Sequence, residues 1–486
     1  MEAHGRDGDH QATSRVGFTA HPFVSSGEPM RVLPAESVRW LSGFGNPAGS
    51  AAYVFEPRNV EELRYLLASA RAAGKQVVLR GSGRSYGAPS VLSEGLAISL
   101  AKMNRFLGIE DGIALVEGGA TLSELWRASL PRQYWPEIVS GTALPTVAGA
   151  ISMNIHGKNA FKAGTYGEQL VGIELLRPNG ELVRMSPTHP EFWAVVGGAG
   201  LFGIVVRAWV RVHAVPSGGV QVHARSIKSL SEQFEAFREF GASADYMVSW
   251  VDCFGGGRGL FHAANYAETK IGFDPAKQLP AGRIGKVMPR DQAWKLLKPF
   301  TNKFGMRTVN AVKYGLGRAL SSSKPHVESL AAFNFLLDSM PGWEQSYGES
   351  GLMQIQIFVP EDRAELVFGE VIEMQNRMGL VSFLGVMKKH KSSPALLDYS
   401  VDGYSLAMDF PRSSDPRLLQ ELGIKIADFV IASGGKFYLA KDDLLTPAQF
   451  EKMHGIEAVQ RFKLMREIAD PERLLSSELA KRLNLA

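Results

Sequence analysis

A glycine-rich stretch at residues 139–167 constrains the fold of this chain more than any other part of its sequence; it reads VSGTALPTVAGAISMNIHGKNAFKAGTYG. Glycine, proline and threonine recur every few residues and lower helix propensity, so the stretch is atypical of an ordinary helix. It is also atypical of a surface linker, because apolar residues such as Val147, Ile151 and Ile155 lie between the small ones. A buried segment with so little side-chain bulk predicts that a large, flat group lies against its backbone, where free N–H groups would bind an anion or a ring carbonyl.

A second glycine-rich loop, GSGRSYG at residues 81–87, follows a short apolar strand predicted for residues 76–80. A Rossmann-type dinucleotide site is excluded, because that motif opens a helix and is followed by an acidic residue about 20 positions on. Here the loop is followed by APSVLSEG, which does not start a helix. The loop therefore predicts a phosphate-binding turn of a different fold, with a plain glycine-rich turn as the alternative.

Together the two loops resemble those of the vanillyl-alcohol-oxidase-type flavoproteins, and the stretch VGGAGLFGIVV at 196–206 matches a third element of that family. The resemblance implies an α+β fold: a two-subdomain PCMH-type FAD-binding domain plus a substrate (cap) domain built on an antiparallel sheet. Many members of the family tether their flavin to a histidine in the first loop. This chain has Arg84, Ser85 and Tyr86 there, so the resemblance implies that FAD is bound non-covalently.

A narrower resemblance is to the decaprenylphosphoryl-β-D-ribose 2′-oxidase family. The motifs that carry it are IHGKN at 155–159, FYLAKD at 437–442, the two glutamines of LMQIQIFVP at 352–360, and the first lysine of VMKKHK at 386–391. The chain departs from that family at Ser405 and Ala407, where the family has asparagine and cysteine. Because of this departure, the resemblance does not define the substrate pocket. The flavin loops do not contain these two positions.

The resemblance implies three sets of site residues. The cofactor set contains Arg80, Gly81, Ser82, Gly83, Arg84, Ser85, Tyr86, Gly87, Gly141, Thr142, Thr146, Val147, Ala148, Gly149, Met153, Asn154, Ile155, His156, Gly157, Ile204 and Tyr438. The substrate set contains Lys158, Gln354, Gln356, Lys388 and Ser405. The catalytic set contains Lys441, His156 and Tyr86, and no metal ligands are expected, because the histidines are scattered without zinc-site spacing.

Residue chemistry supports several of these assignments. His156 stands among glycines beside Lys158, which favours a pocket over the commoner fate of a satisfied buried histidine. Gln354 and Gln356 share one face of an apolar strand, where amides are costly without partners and so indicate ligand hydroxyls or flavin edges. A cation such as Lys441 near the flavin would stabilise its anionic reduced form. The base that takes the hydroxyl proton stays open between Lys441, the tyrosine at 438 and water.

The length of 486 residues predicts at least two domains, and 45% apolar with 21% charged residues is ordinary for a globular protein. We divide the chain into a disordered tail (1–30), an FAD-binding domain (31–216), a substrate or cap domain (217–435) and a return to the FAD domain (436–486). Local signals predict a helix capped by Asn59, a hairpin around the turn at 178–180, and a strand over 201–212. They also predict a helix starting at Asp415 and Pro416, and a strand over 436–440 that runs straight into Lys441.

Charge and cysteine content exclude some classes of function. A net charge of +4 does not indicate nucleic-acid binding. The single cysteine, Cys253, excludes an internal disulfide and fits a reducing compartment, so we expect a cytoplasmic location. Neither a signal peptide nor an apolar run long enough to span a membrane occurs in the sequence.

Residues 293–327 contain seven lysines and arginines and no carboxylate, with apolar residues interleaved. A solvated basic loop is one interpretation. The other is a mobile segment that contacts an anionic membrane surface or a lipid phosphate, which the interleaved apolar residues favour. We therefore expect a peripherally membrane-associated protein.

Three functions remain open at this point. The first is oxidation of the 2′-hydroxyl of a polyprenyl-phosphate-linked pentofuranose, as half of an epimerisation completed by a separate NAD(P)H-dependent reductase. The second is oxidation of a soluble sugar, aldonolactone or alditol, which would not need the basic segment. The third is a flavin-binding redox partner without turnover, for which the departures at Ser405 and Ala407 are the only hint.

Overall fold

The computed structural model of this protein describes residues 27–46, 49–268, 271–280, 282–284, 288–321 and 324–486. Most of the predicted tail, 1–30, lies outside these residues. Within them the chain forms three larger β-sheets, one small two-stranded ribbon and fourteen α-helices. The predicted α+β class, with an antiparallel sheet in the second half of the chain, is confirmed.

The first sheet is mixed and has the strand order β1-β2-β4-β3. Its strands are β1 (Val38–Leu41), β2 (Ser50–Phe55), β3 (Val77–Arg80) and β4 (Leu96–Ser99), and helix α1 (Val60–Ala72) connects β2 to β3. Strand β4 runs parallel to β2 and β3. As predicted, Asn59 caps α1, and its side-chain oxygen accepts the N–H of Glu62 at 2.9 Å. Gly74 follows the helix with φ of +62°, a conformation that glycine adopts without strain.

The second sheet is antiparallel in every pairing, with order β5-β6-β10-β8-β9 and β7 added to β10. Its strands are β5 (Phe106–Glu110), β6 (Ile113–Glu117), β7 (Tyr134–Pro136), β8 (Leu170–Leu176), β9 (Leu182–Met185) and β10 (Ile204–Ala214). Its helices are α2 (Leu122–Ser129), α3 (Val147–Ser152), α4 (Ala160–Ala163) and α5 (Phe192–Val195). The predicted hairpin is confirmed as β8–β9. The strand predicted from residue 201 begins only at Ile204, because Gly203 has φ of +153° and breaks the strand conformation.

The third sheet is the largest and is antiparallel throughout, in the order β16-β11-β13-β12-β18-β19-β17-β20. Its strands are β11 (Gly219–Ile227), β12 (Tyr246–Asp252), β13 (Arg258–Tyr266), β16 (His326–Ser329), β17 (Leu352–Pro360), β18 (Leu384–His390), β19 (Gly403–Pro411) and β20 (Lys436–Phe437). The ribbon consists of β14 (Arg283–Ile284) and β15 (Met288–Pro289). We refer to the third sheet as the large sheet.

Most of the remaining helices cover the large sheet or follow it. They are α6 (Leu230–Phe240), α7 (Trp294–Leu297), α8 (Lys303–Leu320), α9 (Leu330–Asn334), α10 (Glu361–Arg377), α11 (Pro416–Ala432), α12 (Pro447–His454), α13 (Ile456–Ala469) and α14 (Glu478–Arg482). The helix predicted at Pro416 is confirmed, since the Asp415 side chain accepts the N–H of Arg417 at 2.9 Å. The strand predicted over 436–440 was too long. It ends at Phe437 because the chain then turns, and the Lys441 N–H donates to the Tyr438 carbonyl at 2.9 Å.

Two further expectations need correction. The stretch 139–167 contains the short helices α3 and α4. Thr146 accepts the N–H of Gly149 at 3.2 Å and so caps α3, a largely buried helix of six residues. The basic segment forms α7 and α8, whereas one interpretation was a loop. Helix α8 is capped by Asn302, and Asn310 fixes it to the large sheet through hydrogen bonds of 3.2 Å to the Asp252 carboxylate and the Phe383 carbonyl.

The C-terminal part of the chain packs against the first sheet. The strands change from the second sheet to the large sheet between Ala214 and Gly219. After α13 the chain returns: the Val77 N–H donates to the Leu474 carbonyl at 2.7 Å, and the Ser476 N–H donates to the Val77 carbonyl at 2.8 Å. One cluster of buried apolar side chains runs from α1 through the second sheet into the large sheet, so burial of apolar surface holds the sheets together.

Candidate functional site

A cavity of about 1320 Å³ opens between the two glycine-rich segments and the large sheet. Pockets for drug-sized ligands measure roughly 300–1,000 Å³, so this cavity has room for more than one such molecule. One side is formed by the loop after β3 and by the chain around α3. The inner end is formed by strands β17, β18 and β19, and residues 336–345 border the opposite side.

The loop after β3 offers unused hydrogen-bond donors to the cavity. Gly81 lies against Thr146, whose hydroxyl would be 2.2 Å from a Cβ atom at that position. Gly83 has φ of +64°. Within the described part of the chain, the N–H groups of Ser82, Gly83 and Arg84 have no acceptor, although all three residues line the cavity. Successive free N–H groups of this kind form an anion-binding concavity.

Two arginines support this loop. Arg80 donates to the Ser42 and Ser90 carbonyls at 3.1 and 3.2 Å. The Arg84 guanidinium lies 5.3 Å from the ring centroid of Phe44, and its buried Nε atom has no partner among the described residues. Burial lowers the pKa of both arginines. An anion beside this loop would therefore meet two cations that are already ordered and partly desolvated.

The chain around α3 supplies an apolar wall instead of donors. Its first N–H groups are used within the protein: Val147 donates to the Ala120 carbonyl at 2.7 Å and Ala148 to the Gly118 carbonyl at 2.8 Å. The expectation that N–H groups of this stretch are free for a ligand is therefore wrong for the start of α3. Ala148 and Gly149 instead form a wall of small residues beside Ile204, against which a flat ring could pack.

His156 lies at the inner end of the cavity. Its Nε2 atom is 2.9 Å from the Gln356 side-chain nitrogen, and its buried Nδ1 atom has no partner among the described residues. Burial and the nearby cations Lys388 and Lys441 lower the pKa of this imidazole well below its ordinary value. His156 is therefore neutral at physiological pH. If the glutamine nitrogen donates to Nε2, the proton resides on Nδ1.

Lysines from different elements also converge at the inner end. The buried Lys158 ammonium lies 4.1 Å from the ring centroid of Phe333, and burial lowers its pKa to about 7. Burial lowers the pKa of Lys388 to about 8. The Lys441 ammonium lies 3.6 Å from the ring centroid of Tyr86, and burial lowers its pKa against the opposing effect of Asp409. These three lysines make the inner end a cationic, partly desolvated site.

Asp409 is a cavity residue that the sequence analysis missed. It is fully buried on β19, and one carboxylate oxygen accepts a hydrogen bond from the Gln354 amide. A signal was present: a carboxylate in the otherwise apolar run LAMDF, two residues beyond Ala407 on the same strand face. Buried carboxylates without an obvious partner are candidate functional groups.

The opposite side of the cavity was also missed. The Asp338 carboxylate accepts hydrogen bonds from the Thr142 hydroxyl at 2.6 Å and from the Ala143 N–H at 2.8 Å. The Leu337 N–H donates to the Gly141 carbonyl at 3.2 Å. No sequence signal pointed to these contacts, because they join residues almost two hundred positions apart. They fix the segment of residues 336–343 against the second glycine-rich stretch.

The structure brings most of the predicted site residues to the cavity. Those that line it are Arg80, Gly81, Ser82, Gly83, Arg84, Ser85, Tyr86, Gly141, Thr142, Thr146, Ala148, Gly149, Met153, Ile155, His156, Lys158, Ile204, Gln354, Gln356, Lys388, Tyr438 and Lys441. Those outside its lining are Gly87, Val147, Asn154, Gly157 and Ser405. The side chain of Asn154 contacts another part of the chain, since its oxygen accepts the Gly167 N–H at 2.9 Å. Ser405 lies 2.8 Å from His390 Nε2 and 3.5 Å from the Gln356 amide nitrogen.

These features fit the flavin dinucleotide that the first two loops imply. The free N–H groups of the loop after β3, together with Arg84, suit a pyrophosphate. The wall of small residues at Ala148 and Gly149 suits a planar ring. The cationic inner end, with Lys441 nearest the tyrosine of the first loop, suits a ring system that gains negative charge on reduction. The donor set of the cavity therefore agrees with FAD.

Comparisons with known proteins agree with this description. A family model described as an FAD binding domain matches residues 51–186. The chain is 31% identical over 461 residues to decaprenylphosphoryl-β-D-ribose oxidase of Mycolicibacterium smegmatis, an alignment that covers 92% of this chain and 97% of the relative. It is 27% identical over 206 residues to D-arabinono-1,4-lactone oxidase of Eremothecium gossypii, covering 40% and 37% of the two chains. It is 25% identical over 494 residues to cytokinin dehydrogenase 3 of Oryza sativa subsp. japonica, covering 92% and 90%.

Proposed function

This chain belongs to the family of FAD-dependent oxidoreductases with a PCMH-type FAD-binding domain, and we propose that it oxidises a hydroxyl group of a lipid-linked sugar. The proposed substrate is a polyprenyl-phosphate-linked pentofuranose, with ribose oxidised at its 2′-hydroxyl to a keto intermediate. The similarity to decaprenylphosphoryl-β-D-ribose oxidase over 92% of this chain supports the choice of substrate class.

The observation that carries the proposal is the mixture of amides and ammonium groups at the inner end of the cavity. Gln354 and Gln356 project from one strand, and Lys158 and Lys388 approach from other elements. Amides suit the hydroxyls of a furanose, and desolvated lysines suit an anion such as a phosphodiester. An uncharged lactone would use the amides and leave the buried cations without a counter-charge.

Oxidation of an alcohol removes a hydride from carbon and a proton from oxygen. Bound FAD supplies the hydride acceptor, and this chain must orient the C–H bond, exclude water and receive the proton. Lys441 provides a positive charge beside Tyr86, where it would stabilise developing negative charge. Tyr438 is the weakest candidate for the proton acceptor, because burial raises its phenol pKa far above neutrality.

Anaerobic reduction of the flavin tests this function directly. A short-chain polyprenyl-phosphoryl ribose should bleach the visible flavin absorbance within seconds to minutes. Free ribose, aldonolactones and alditols at the same concentration should bleach it at least about 100-fold more slowly, because they lack the anion that the lysines bind. Equal reduction by an aldonolactone would favour a soluble sugar oxidase, and no reduction by any sugar would favour a redox partner without turnover.

The proposed product requires a second enzyme. A 2′-keto pentofuranose becomes arabinose only when hydride is returned to the opposite face, and the natural donor class for that step is a nicotinamide cofactor. We therefore include a separate NAD(P)H-dependent reductase as the expected functional partner. The combined reaction, followed by separation of the two pentoses, would convert ribose to arabinose only when both proteins and NAD(P)H are present.

A lipid-linked substrate also implies contact with a membrane surface, and helix α8 is the proposed contact. Val312, Leu316 and Leu320 follow one another at intervals of four residues and are 55%, 60% and 80% exposed. Phe304 at the start of the helix is 82% exposed. Basic residues share the exposed surface of the helix, as in amphipathic segments that bind anionic lipid. Among the described helices, none is both long and apolar enough to cross a bilayer.

Vesicle co-sedimentation tests this contact. Each basic residue near an anionic surface contributes about 1 kcal/mol, so replacing Lys303, Arg307 and Arg318 by glutamine should weaken binding to phosphatidylserine vesicles on the order of 100-fold. Lys313 is left unchanged, because its ammonium lies 4.4 Å from the ring centroid of Trp250 and helps hold the helix.

A matched control replaces three exposed cations on other helices, namely Lys425, Arg461 and Lys481, by glutamine. The control should bind vesicles as the wild type does, and wild-type binding should weaken as salt rises. Absence of wild-type binding to anionic vesicles at low salt would contradict the proposed membrane contact. Reduction of the flavin by a water-soluble substrate analogue should be equal in all three proteins.

A further inference from the structure

Four buried polar side chains are joined by hydrogen bonds behind the inner end of the cavity. The His156 Nε2 atom lies 2.9 Å from the Gln356 amide nitrogen, and that nitrogen donates to the Ser405 hydroxyl at 3.5 Å. The Ser405 hydroxyl lies 2.8 Å from the Nε2 atom of His390. His156 and Gln356 line the cavity, whereas Ser405 and His390 lie outside its lining. We call these four residues the His390 network.

The strand pairing of the large sheet brings the network together. Ser405 of β19 pairs with Lys388 of β18 and with Phe358 of β17. Because side chains alternate along a strand, Gln356 and His390, each two positions from one of those partners, share the sheet face of Ser405. The Phe358 ring packs against both imidazoles, with centroid distances of 5.6 and 4.7 Å. All four members of the network are 6% exposed or less, so they are shielded from bulk water.

The direction of each hydrogen bond follows from what the partners can donate. An amide nitrogen only donates, so it gives one N–H to His156 and the other to Ser405. The Ser405 hydroxyl proton is then left with one acceptor among the described residues, the Nε2 atom of His390. Burial lowers the pKa of both imidazoles well below the ordinary value, so both are neutral at physiological pH and accept at Nε2.

This direction leaves Gln356 with one polar atom to offer to a ligand. Both of its N–H groups are used inside the network, and among the described residues no group donates to its side-chain oxygen. Because Gln356 lines the cavity, a ligand atom that bonds this oxygen must carry a hydrogen. A sugar hydroxyl meets that condition, whereas a ketone oxygen or an ionised phosphate oxygen does not.

We propose that Ser405 and His390 are positioning residues for the Gln356 amide. They hold its nitrogen on His156 and turn its oxygen towards the cavity, where it accepts the hydrogen of a sugar hydroxyl. Neither positioning residue touches substrate or cofactor. The sugar as the source of that hydrogen rests on the proposed function. The orientation of the amide, and with it the tautomer of His156, does not depend on which ligand is bound.

Nitrogen NMR of histidine measures the direction of the network without turnover. Each imidazole is held through Nε2, because its Nδ1 atom has no partner among the described residues. The tautomer of His156 therefore reports which amide atom of Gln356 faces it. The FAD-loaded protein is prepared with isotopically labelled histidine, and a His156→Gln protein identifies the signals of that ring. In the wild type the proton should reside on Nδ1.

Three substitutions should move the tautomer in different ways. His390→Phe removes the acceptor of the Ser405 hydroxyl, which can then donate to the amide oxygen; the Gln356 amide should turn over, and the His156 proton should move to Nε2. Ser405→Ala breaks the connection, so the His156 signals should shift towards a mixture of both tautomers. His390→Gln supplies an amide oxygen that can accept the hydroxyl proton, so it should restore the wild-type tautomer.

Ser249→Ala is the matched control. Ser249 is fully buried on β12 of the large sheet, and its hydroxyl donates to the Gln233 side chain at 2.6 Å. Neither residue lines the cavity, so the variant removes a comparable contact between a serine and a glutamine at a different place. It should leave the His156 signals and the FAD content per chain at their wild-type values.

Binding of deoxyfluoro sugars tests the ligand side of the proposal. The flavin is first reduced chemically under anaerobic conditions, so that no substrate is consumed. Calorimetry then gives Kd for a short-chain polyprenyl-phosphoryl ribose and for analogues in which fluorine, which donates no hydrogen, replaces one hydroxyl at a time. In the wild type one analogue should bind about ten-fold more weakly or worse, the scale of one lost hydrogen bond. In His390→Phe that loss should largely disappear, because an amide N–H would face the cavity.

A wild-type His156 with its proton on Nε2 overturns the proposal, and this result does not require any variant to fold. An unchanged tautomer in both Ser405→Ala and His390→Phe overturns it as well. Equal wild-type affinity for the ribose compound and all its fluorinated analogues would overturn the assignment of a sugar hydroxyl to Gln356. Failure of every sugar to reduce the flavin would count against the proposed function alone, since the tautomer is measured without substrate.

Discussion

At the scale of single residues, Lys441 differs from an ordinary lysine because its ammonium is buried. It follows a two-residue strand and a tight turn, and its ammonium is enclosed between Tyr86 and the inner wall of the cavity. Most lysines remain in water because desolvation of the ammonium is costly. A lysine held in such a place indicates a functional charge.

Replacing Lys441 by alanine should separate catalysis from cofactor binding. Substrate-driven flavin reduction should fall about 100-fold or more, the scale of losing one well-placed electrostatic stabiliser. FAD should remain bound, because the donors suited to the pyrophosphate come from the loop after β3. Stopped-flow absorbance gives the rate, and the flavin-to-protein absorbance ratio gives the content. Lys389→Ala, which removes an outward-facing lysine paired with Glu361, is the control and should leave both unchanged. Loss of FAD in Lys441→Ala would give Lys441 a binding role instead.

The residues of the first loop also predict how FAD is held. Arg84 stands where related proteins have a tethering histidine, and an arginine guanidinium does not form such a bond. FAD should therefore pass into the supernatant when the protein is denatured and precipitated, and the denatured chain should show no fluorescence on a gel. His156 is the remaining histidine in the cavity lining among the described residues. A fluorescent band that disappears in His156→Ala would show that it forms a link.

At the scale of elements, the segment of residues 336–343 closes one side of the cavity. The Asp338 carboxylate links it to the second glycine-rich stretch by accepting hydrogen bonds from the Thr142 hydroxyl and the Ala143 N–H. Burial raises the pKa of this carboxyl, while those two hydrogen bonds lower it. The segment is therefore held in part by a partly desolvated polar contact, beside the packing of Trp343 against Phe44.

Replacing Asp338 by alanine should loosen this element. Each hydrogen bond to the carboxylate contributes roughly 1.5–3 kcal/mol at most, and the variant loses two of them. FAD should therefore dissociate about ten-fold faster or more. Release of FAD into excess apo-flavodoxin, followed by fluorescence, measures the rate. Asp291→Ala is the control. Asp291 is also a carboxylate of the cavity lining, but its side chain makes no hydrogen bond within the described structure, so this variant should release FAD at the wild-type rate. Equal rates in Asp338→Ala and wild type would mean that the segment does not retain the cofactor.

At the scale of the whole molecule, the last twelve residues complete the first sheet. Leu475 pairs with Val77, the Glu478 N–H donates to the Val91 carbonyl at 2.8 Å, and Leu485 is buried. Arg466 is buried as well and donates to the Leu475 carbonyl at 2.7 Å. The strand that leads into the first glycine-rich loop is therefore supported by the opposite end of the chain.

Deleting residues 475–486 should destabilise the protein and release FAD together. The deletion exposes apolar surface of the first sheet and leaves the Val77 carbonyl without its partner. The melting temperature should fall by several degrees, and the FAD content should fall with it. Deletion of Ala486 alone should have little effect. A truncated protein that melts at the wild-type temperature with full FAD content would show that the C-terminal return is not needed for the loop.

The sequence was most informative about backbone chemistry. The loop at 81–87 predicted a phosphate-binding turn, and the structure has unused N–H groups there. The sequence was less informative where side chains from distant elements meet. Asp338 was missed because no local motif marks it, and Asp409 was missed although it is a carboxylate in the otherwise apolar run LAMDF. The basic segment allowed two interpretations, and tertiary packing through Asn310 accompanies its folding as a helix.

The sequence by itself determined the two glycine-rich segments, because glycine conformation and helix caps are local properties that neighbouring residues specify. The class of fold and the kind of cofactor followed from the resemblance of those segments to a flavoprotein family. Only the tertiary structure decided which charges face one another. The convergence of Lys158, Lys388 and Lys441, the neutral state of His156 and the closure by Asp338 all depend on desolvation and on distances across the cavity. Those quantities arise when residues far apart in sequence are brought together and water is excluded, so no single stretch of the chain contains them.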